Sequence, residues 1–249
     1  MYTRIRTPYD RPSIGRIAGT LAVIVLLSAS TANHAGIEHD LRDTGYETAS
    51  GYSDDSGYGN PRVFPNIRNY LDLDDPSLAL YREPLTREAV TDFFRDVTGS
   101  EKVAVAVLET ADEFDMKPTK AFSIAFIESS YRTDAVNTNN NQSTDRGLFQ
   151  LNDRTFPNLD NDDFFHPETS AWYGIRHLSF ALNQADGDFL TAVAIYNAGP
   201  SRVFSDEIPD STQAYMQRID AYRDDLIRDF RDFIADRFPP ERDRTADAR

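Results

Sequence analysis

Eight residues, Ala121 to Glu128, restrict what this chain can fold into more than any other stretch. They read AFSIAFIE, and only Ser123 and Glu128 are polar. On a helix Ile124 and Ala125 share the face of Glu128, while Phe122, Phe126 and Ile127 cover the other sides. A helix that is apolar all round must be buried, so other elements have to surround it. A carboxylate at the end of such a helix is costly unless it is paired, hydrogen-bonded or protonated. Glu128 is therefore a candidate functional group. On the helix alone, an ion pair with Arg132 four residues on, or a polar helix end, accounts for it equally well.

The residues that follow favour the functional reading. Asn137 to Asp145, NTNNNQSTD, contains no apolar residue and is rich in turn formers. In Gly147 to Asn152, GLFQLN, polar Gln150 and Asn152 alternate with Phe149 and Leu151, which predicts a short strand. Together they predict a hairpin lip, a polar turn followed by a strand with one face open to a ligand. Asp145 stands at the start of that strand. Two carboxylates flanking a cleft suit glycosidic bond cleavage: the one in apolar surroundings keeps its proton, and the one in polar surroundings stays ionised.

Helical patterns fill the rest of residues 76–238. Thr86 to Val97 carries Val90, Phe93 and Phe94. Ser100 is placed to cap Glu101 to Phe114. Pro118 opens the buried helix that ends at Glu128. Asp153 to Phe156 reads as a short helical turn. His166 to Ala185 is a helix with Trp172, Ile175, Leu178 and Leu182 on one stripe. Asp188 caps a helix whose Tyr196 is core-directed by spacing, but the polar break Asn197-Ala198-Gly199-Pro200 follows at once and offers the Tyr hydroxyl and the Asn amide to a cleft. Ser211 to Phe238 is the last long helix. Asn158, Asp160 and Asp162 alternate as in a calcium loop, but the glycine at the sixth position and the glutamate at the twelfth are missing, so this reads as a solvated acidic loop. His166 and His177 have no partner at metal-ligand spacing and read as structural or surface groups. No metal and no cofactor is expected.

Composition sets the outer limits. The net charge of −15 argues against a nucleic-acid partner, and the absence of cysteine removes disulfides and thiolate metal sites. Residues 1–32 have an arginine-bearing leader, a short apolar run from Ile17 to Ala29 and a small-residue site, Ser30-Thr31-Ala32. This predicts a signal peptide, or else a membrane anchor if it is not cleaved. Residues 33–75 are polar, with Gly-Tyr pairs, and read as a flexible linker. Residues 239–249 read as a disordered tail.

Three segments in order, Glu128-Ser129, then Gly147-Leu148-Phe149-Gln150, then Ala194-Ile195-Tyr196-Asn197-Ala198-Gly199, resemble the lytic transglycosylases of the soluble-lytic-transglycosylase (SLT) type, in the lysozyme-like superfamily. The resemblance covers roughly residues 115–225. Phe149 replaces the family's usual Met, and the loop between the first two segments is longer than in many members. The Asn-rich turn ending in Ser143-Thr144-Asp145-Arg146-Gly147 is also similar to the loop of animal lysozymes that carries their second carboxylate. The resemblance implies a mainly α, α+β lysozyme-like fold with a β-hairpin lip beside the cleft. It implies a monomer in the cell envelope, periplasmic or secreted, acting on peptidoglycan glycan strands and touching a membrane only through an uncleaved leader. Glu128 would be the general acid. Gln150 and Tyr196 would hold substrate N-acetyl groups or orient Glu128, with Asn197, Tyr215 and Asp145 on the same walls. The product would be a 1,6-anhydro sugar. The alternatives are a hydrolytic muramidase using Glu128 and Asp145, and a glycan-binding module without turnover.

Overall fold

The computed structural model describes Phe64, residues 66–205 and residues 208–239. The expected leader at 1–32 lies outside these residues, as do most of the expected linker and the tail beyond residue 239. The described chain is mainly helical, with one small antiparallel sheet.

The helix that ends in Glu128 is the centre of the molecule. It is α5, Pro118–Ser129, and the helices packed around it include α2 Ser77–Arg82, α4 Glu101–Glu113 and α9 Asp210–Arg237. Ile124, Ala125 and Phe122 are fully buried, as an apolar helix requires. Proline at its first turn starts α5, and two left-handed residues end it, Ser130 at φ 54° and Tyr131 at φ 63°. Aromatic rings tie it to its neighbours. Phe122 stacks at 4.0 Å on Phe94 of α3, Arg87–Thr98, and Phe126 stacks at 4.0 Å on Tyr222 of α9. Phe93 of α3 meets Phe230 of α9 edge-on at 5.1 Å. Each such pair adds about 0.5–1.5 kcal/mol beyond its burial. Ser100 caps α4 by accepting from the Val103 amide at 3.3 Å, as its spacing predicted.

The described part of the predicted linker is structured. Residues 66–75 contain the short helix α1, Ile67–Leu71, whose Ile67 is buried. The Phe64 ring lies 6.2 Å from that of Phe238 at the end of α9. Arg231 donates to the carbonyls of Leu73 and Asp74. Buried Asp75 accepts from Ser77 and from the Thr119 hydroxyl at the start of α5. The segment is polar overall, but its few apolar residues land on the core, and its buried acid is supplied with donors.

The β lip also differs in detail from the expectation. Residues 147–150 form a turn, with Gly147 at φ 75° and Gln150 at φ 49°, and Leu148 and Phe149 are both buried, so the apparent alternation was not that of a strand. The sheet is β1 Val136–Thr138, β2 Thr144–Arg146 and β3 Leu151–Asn152, in the order β1-β2-β3. The hairpin arms thus occupy the two ends of the polar run expected to be all turn, each reaching one residue beyond it. In this register Asp145 faces Asn137 on one side and Asn152 on the other. Asp153 to Phe156 is a non-helical turn. The 18-residue helix α6, Pro167–Gln184, follows, with Trp172 only partly buried, against Phe114 at 6.1 Å, so it lies off the predicted core stripe. Then come α7 Phe189–Ala198 and α8 Pro200–Phe204. Asp188 caps α7 by accepting from the Thr191 amide at 2.7 Å. Among the described residues no helix is long and apolar enough to cross a membrane.

Candidate active site

Glu128 sits in the last turn of α5 and lines a small cavity together with Asp145, Gln150, Asn152, Phe156, His177 and Tyr196, among others. The Tyr215 hydroxyl, reaching over from α9, donates to Glu128 Oε1 at 2.5 Å. Burial drives the Glu128 pKa from 4.5 up to about 7; the negative charge of Asp145 adds to the rise, while the Tyr215 bond and the Arg218 charge oppose it. The ion pair with Arg132 does not form, because Arg132 pairs instead with Asp134 at 3.2 Å. The result is a carboxyl that keeps its proton to near neutral pH, with Oε1 held by Tyr215.

The wall facing Glu128 is the turn Gly147-Leu148-Phe149-Gln150, and three helices lock it. Ser129 on α5 donates to the Leu148 carbonyl at 2.8 Å as well as to Ala125 in its own helix. On α6, the Ser170 hydroxyl accepts from the Phe149 amide at 3.2 Å. On α7, Tyr196 donates to the Phe149 carbonyl at 3.3 Å. A Cβ on Gly147 would lie 1.8 Å from the Phe164 carbonyl oxygen, and a Cβ on Gly174 would lie 2.3 Å from the Phe149 ring, so both glycines are required by packing. Gln150 lines the cavity, but its amide nitrogen is engaged with the carbonyls of Ala135 and Gly147 at 3.2 and 3.0 Å. Burial and the charges of Glu128 and Asp145 push the Tyr196 hydroxyl far above its ordinary pKa, so it stays protonated.

Asp145 occupies the middle strand and is almost fully buried. Asn139 donates to its Oδ2 at 2.8 Å and Asn152 to its Oδ1 at 2.6 Å. Ser143 joins the two amides, accepting from Asn139 at 3.1 Å and from Asn152 at 2.9 Å. Burial raises the Asp145 pKa, and the amide hydrogen bonds pull it back. Both oxygens of this carboxylate are thus held by side-chain amides.

All six residues singled out from the sequence lie on the elements around this cleft, with different parts to play. Glu128, Asp145, Gln150 and Tyr196 share the cavity, and Tyr215 reaches it through Glu128. Asn197 accepts from the Thr212 hydroxyl at 2.8 Å and so joins the end of α7 to the start of α9; one residue past Tyr196, it turns to another side of its helix. Sequence reasoning placed His177 on the surface or in a structural role, yet it lines the cavity with its ring 4.8 Å from that of Tyr196. Burial lowers its pKa to about 4, so it is neutral at physiological pH. Spacing gave no signal for it, since its partner lies 19 residues away on another helix. Ser170, Gly174 and Phe156 were missed for the same reason. Among the described residues no group of three or more His, Asp and Glu is placed to hold a metal ion.

Residues 106–217 match the family described as the transglycosylase SLT domain. Among solved structures, the chain is similar to an inactive mutant of the lytic transglycosylase Slt from Pseudomonas aeruginosa, at 20% identity and a TM-score of 0.41. That likeness covers 63% of this chain and 31% of the other, so this chain spans about a third of that protein's length. No curated protein sequence matches. All six candidate site residues fall inside the segment that is similar to the transglycosylase SLT domain, and Glu128 lies near its centre in the fold.

Proposed function

We propose that this chain is a peptidoglycan lytic transglycosylase. It would cleave the β-1,4 bond between N-acetylmuramic acid and N-acetylglucosamine and leave 1,6-anhydromuramic acid ends. The observation that carries this reading is the Glu128 carboxyl, raised to a pKa of about 7 and held at one oxygen by Tyr215. Protonated Glu128 gives its proton to the bridging oxygen as the C1–O bond breaks, and an oxocarbenium-like centre develops. The resulting carboxylate takes the proton of the muramyl C6 hydroxyl, whose oxygen closes on C1. Glu128 ends the cycle protonated, and no water is consumed. A group titrating near neutrality suits both steps, acid first and base second. Asp145, with each oxygen bonded to an asparagine amide, supports the reading that it shapes the lip and does not attack C1.

The hydrolytic alternative rests on one observation: Asp145 lines the same cavity as Glu128 and its charge acts on Glu128. Digesting purified murein with wild type and Glu128→Gln, and following soluble muropeptides, tests the activity itself. Release by wild type alone is expected. Equal release by both would move the catalytic site elsewhere, and no release by either would leave a binding module.

A further inference from the structure

Arg218 stands on α9 three residues beyond Tyr215, on the same helix face. Its side chain is exposed. Tyr215 bonds Glu128 at 2.5 Å, so one helical turn further along α9 sets Arg218 beside the cleft, near enough for its charge to act on both groups. Several other arginines around the lip and on α9 are engaged. Arg146 pairs with Asp153 at 3.0 Å, Arg132 with Asp134 at 3.2 Å, and Arg223 with Asp220 at 3.3 Å. Arg154 donates to the Asn141 carbonyl at 2.5 Å. Arg218 has no ion-pair or hydrogen-bond partner among the described residues. With 41 acidic residues against 26 basic ones, acids are in surplus as partners for a surface arginine. An arginine left open beside the catalytic carboxyl is where an external anion meets least competition.

We propose that Arg218 binds substrate by receiving a carboxylate carried on the muramyl side of the glycan strand. This rests on the reading of peptidoglycan as the substrate. Two carboxylates of that chemistry exist, the lactyl group of the muramyl residue and the acids of its stem peptide. A guanidinium fork accepts either in a two-point contact that a lysine reproduces only in part. A neutral chitin oligomer offers neither.

Calorimetric binding to the full-length chain tests this, on the Glu128→Gln background so that strands are not consumed. The ligands are chitotetraose, peptide-free strands retaining the lactyl carboxylate, and peptide-bearing strands. Adding Arg218→Gln should weaken muramyl binding about three- to tenfold, with partial recovery in Arg218→Lys, and leave chitotetraose unchanged. A loss on both muramyl ligands assigns the lactyl carboxylate; a loss on the peptide-bearing strands alone assigns the stem. Unchanged affinity for all three ligands, or an equal loss for chitotetraose, overturns the proposal. Turnover separates this from the catalytic reading. In an active enzyme Arg218→Gln should raise KM more than it lowers kcat. A wild-type chain that cuts no murein but binds muramyl strands through Arg218 would sink the enzyme reading and leave the contact standing.

Discussion

Glu128 and Asp145 share one cavity, but their surroundings offer different things to the charged form. Asp145 accepts from two amides, whereas Glu128 accepts from one phenol and is otherwise desolvated. That contrast fixes what each substitution should do. Glu128→Gln keeps the shape and the Tyr215 bond and should cut turnover by roughly 10²–10⁴-fold. It should also change stability in one pH range only. Because the folded pKa of Glu128 lies above the unfolded one, the native state binds the proton more tightly, and stability falls as pH rises from 4.5 to about 7. The variant escapes that loss. It should exceed wild type by on the order of 2 kcal/mol at pH 8, after discounting for partial exposure, and match it below pH 4.5. Denaturant melts at both pH values check this. For Asp145→Asn the expectation is retained turnover, with a loss of about 1–3 kcal/mol as one amide of the network loses its acceptor. Removing the Asp145 charge should also lower the Glu128 pKa, so the alkaline limb of the pH–rate profile should move down. A dead Asp145→Asn enzyme that still melts like wild type would favour the hydrolytic reading.

At the scale of elements, the 147–150 turn positions the site, because α5, α6 and α7 each bond to it. Gly147→Ala puts a methyl against the Phe164 carbonyl at a positive φ and should cost about 2–4 kcal/mol, seen as a lower thermal midpoint with turnover lost in parallel. The helices were legible in the sequence because their signals are local. Ser100 and Asp188 cap where their spacing said, Pro118 and Pro167 start helices, and the apolar run ending at Glu128 is buried. The lip was read less well. Phe149 and Leu151 alternate with polar residues, but the left-handed φ values of Gly147 and Gln150 turn the chain where a strand was expected. His177 and Ser170 were invisible as site residues, since their partners in the cleft come from other elements and no local spacing encodes them.

For the molecule as a whole, Phe64 and residues 66–75, expected as linker, pack onto the folded body. Leu80 and Ile67 are buried, and Asp75 is bonded to Thr119 at the start of α5. The polarity of residues 33–75 concealed this, because a few apolar side chains suffice to dock a segment. A chain beginning at residue 86 should therefore be several kcal/mol less stable than one beginning at residue 60, each buried aliphatic side chain contributing about 1.5–3 kcal/mol. Equal thermal midpoints for the two would count against that docking. The chemistry proposed for the whole enzyme closes a ring with the sugar's own hydroxyl, so solvent oxygen has no place in the product. Digesting murein with wild type in ¹⁸O-labelled water and weighing the soluble muropeptides tests this directly. Products lighter than the reducing sugar by one water and free of label are expected; reducing muramic acid ends that carry one ¹⁸O per cut would contradict it.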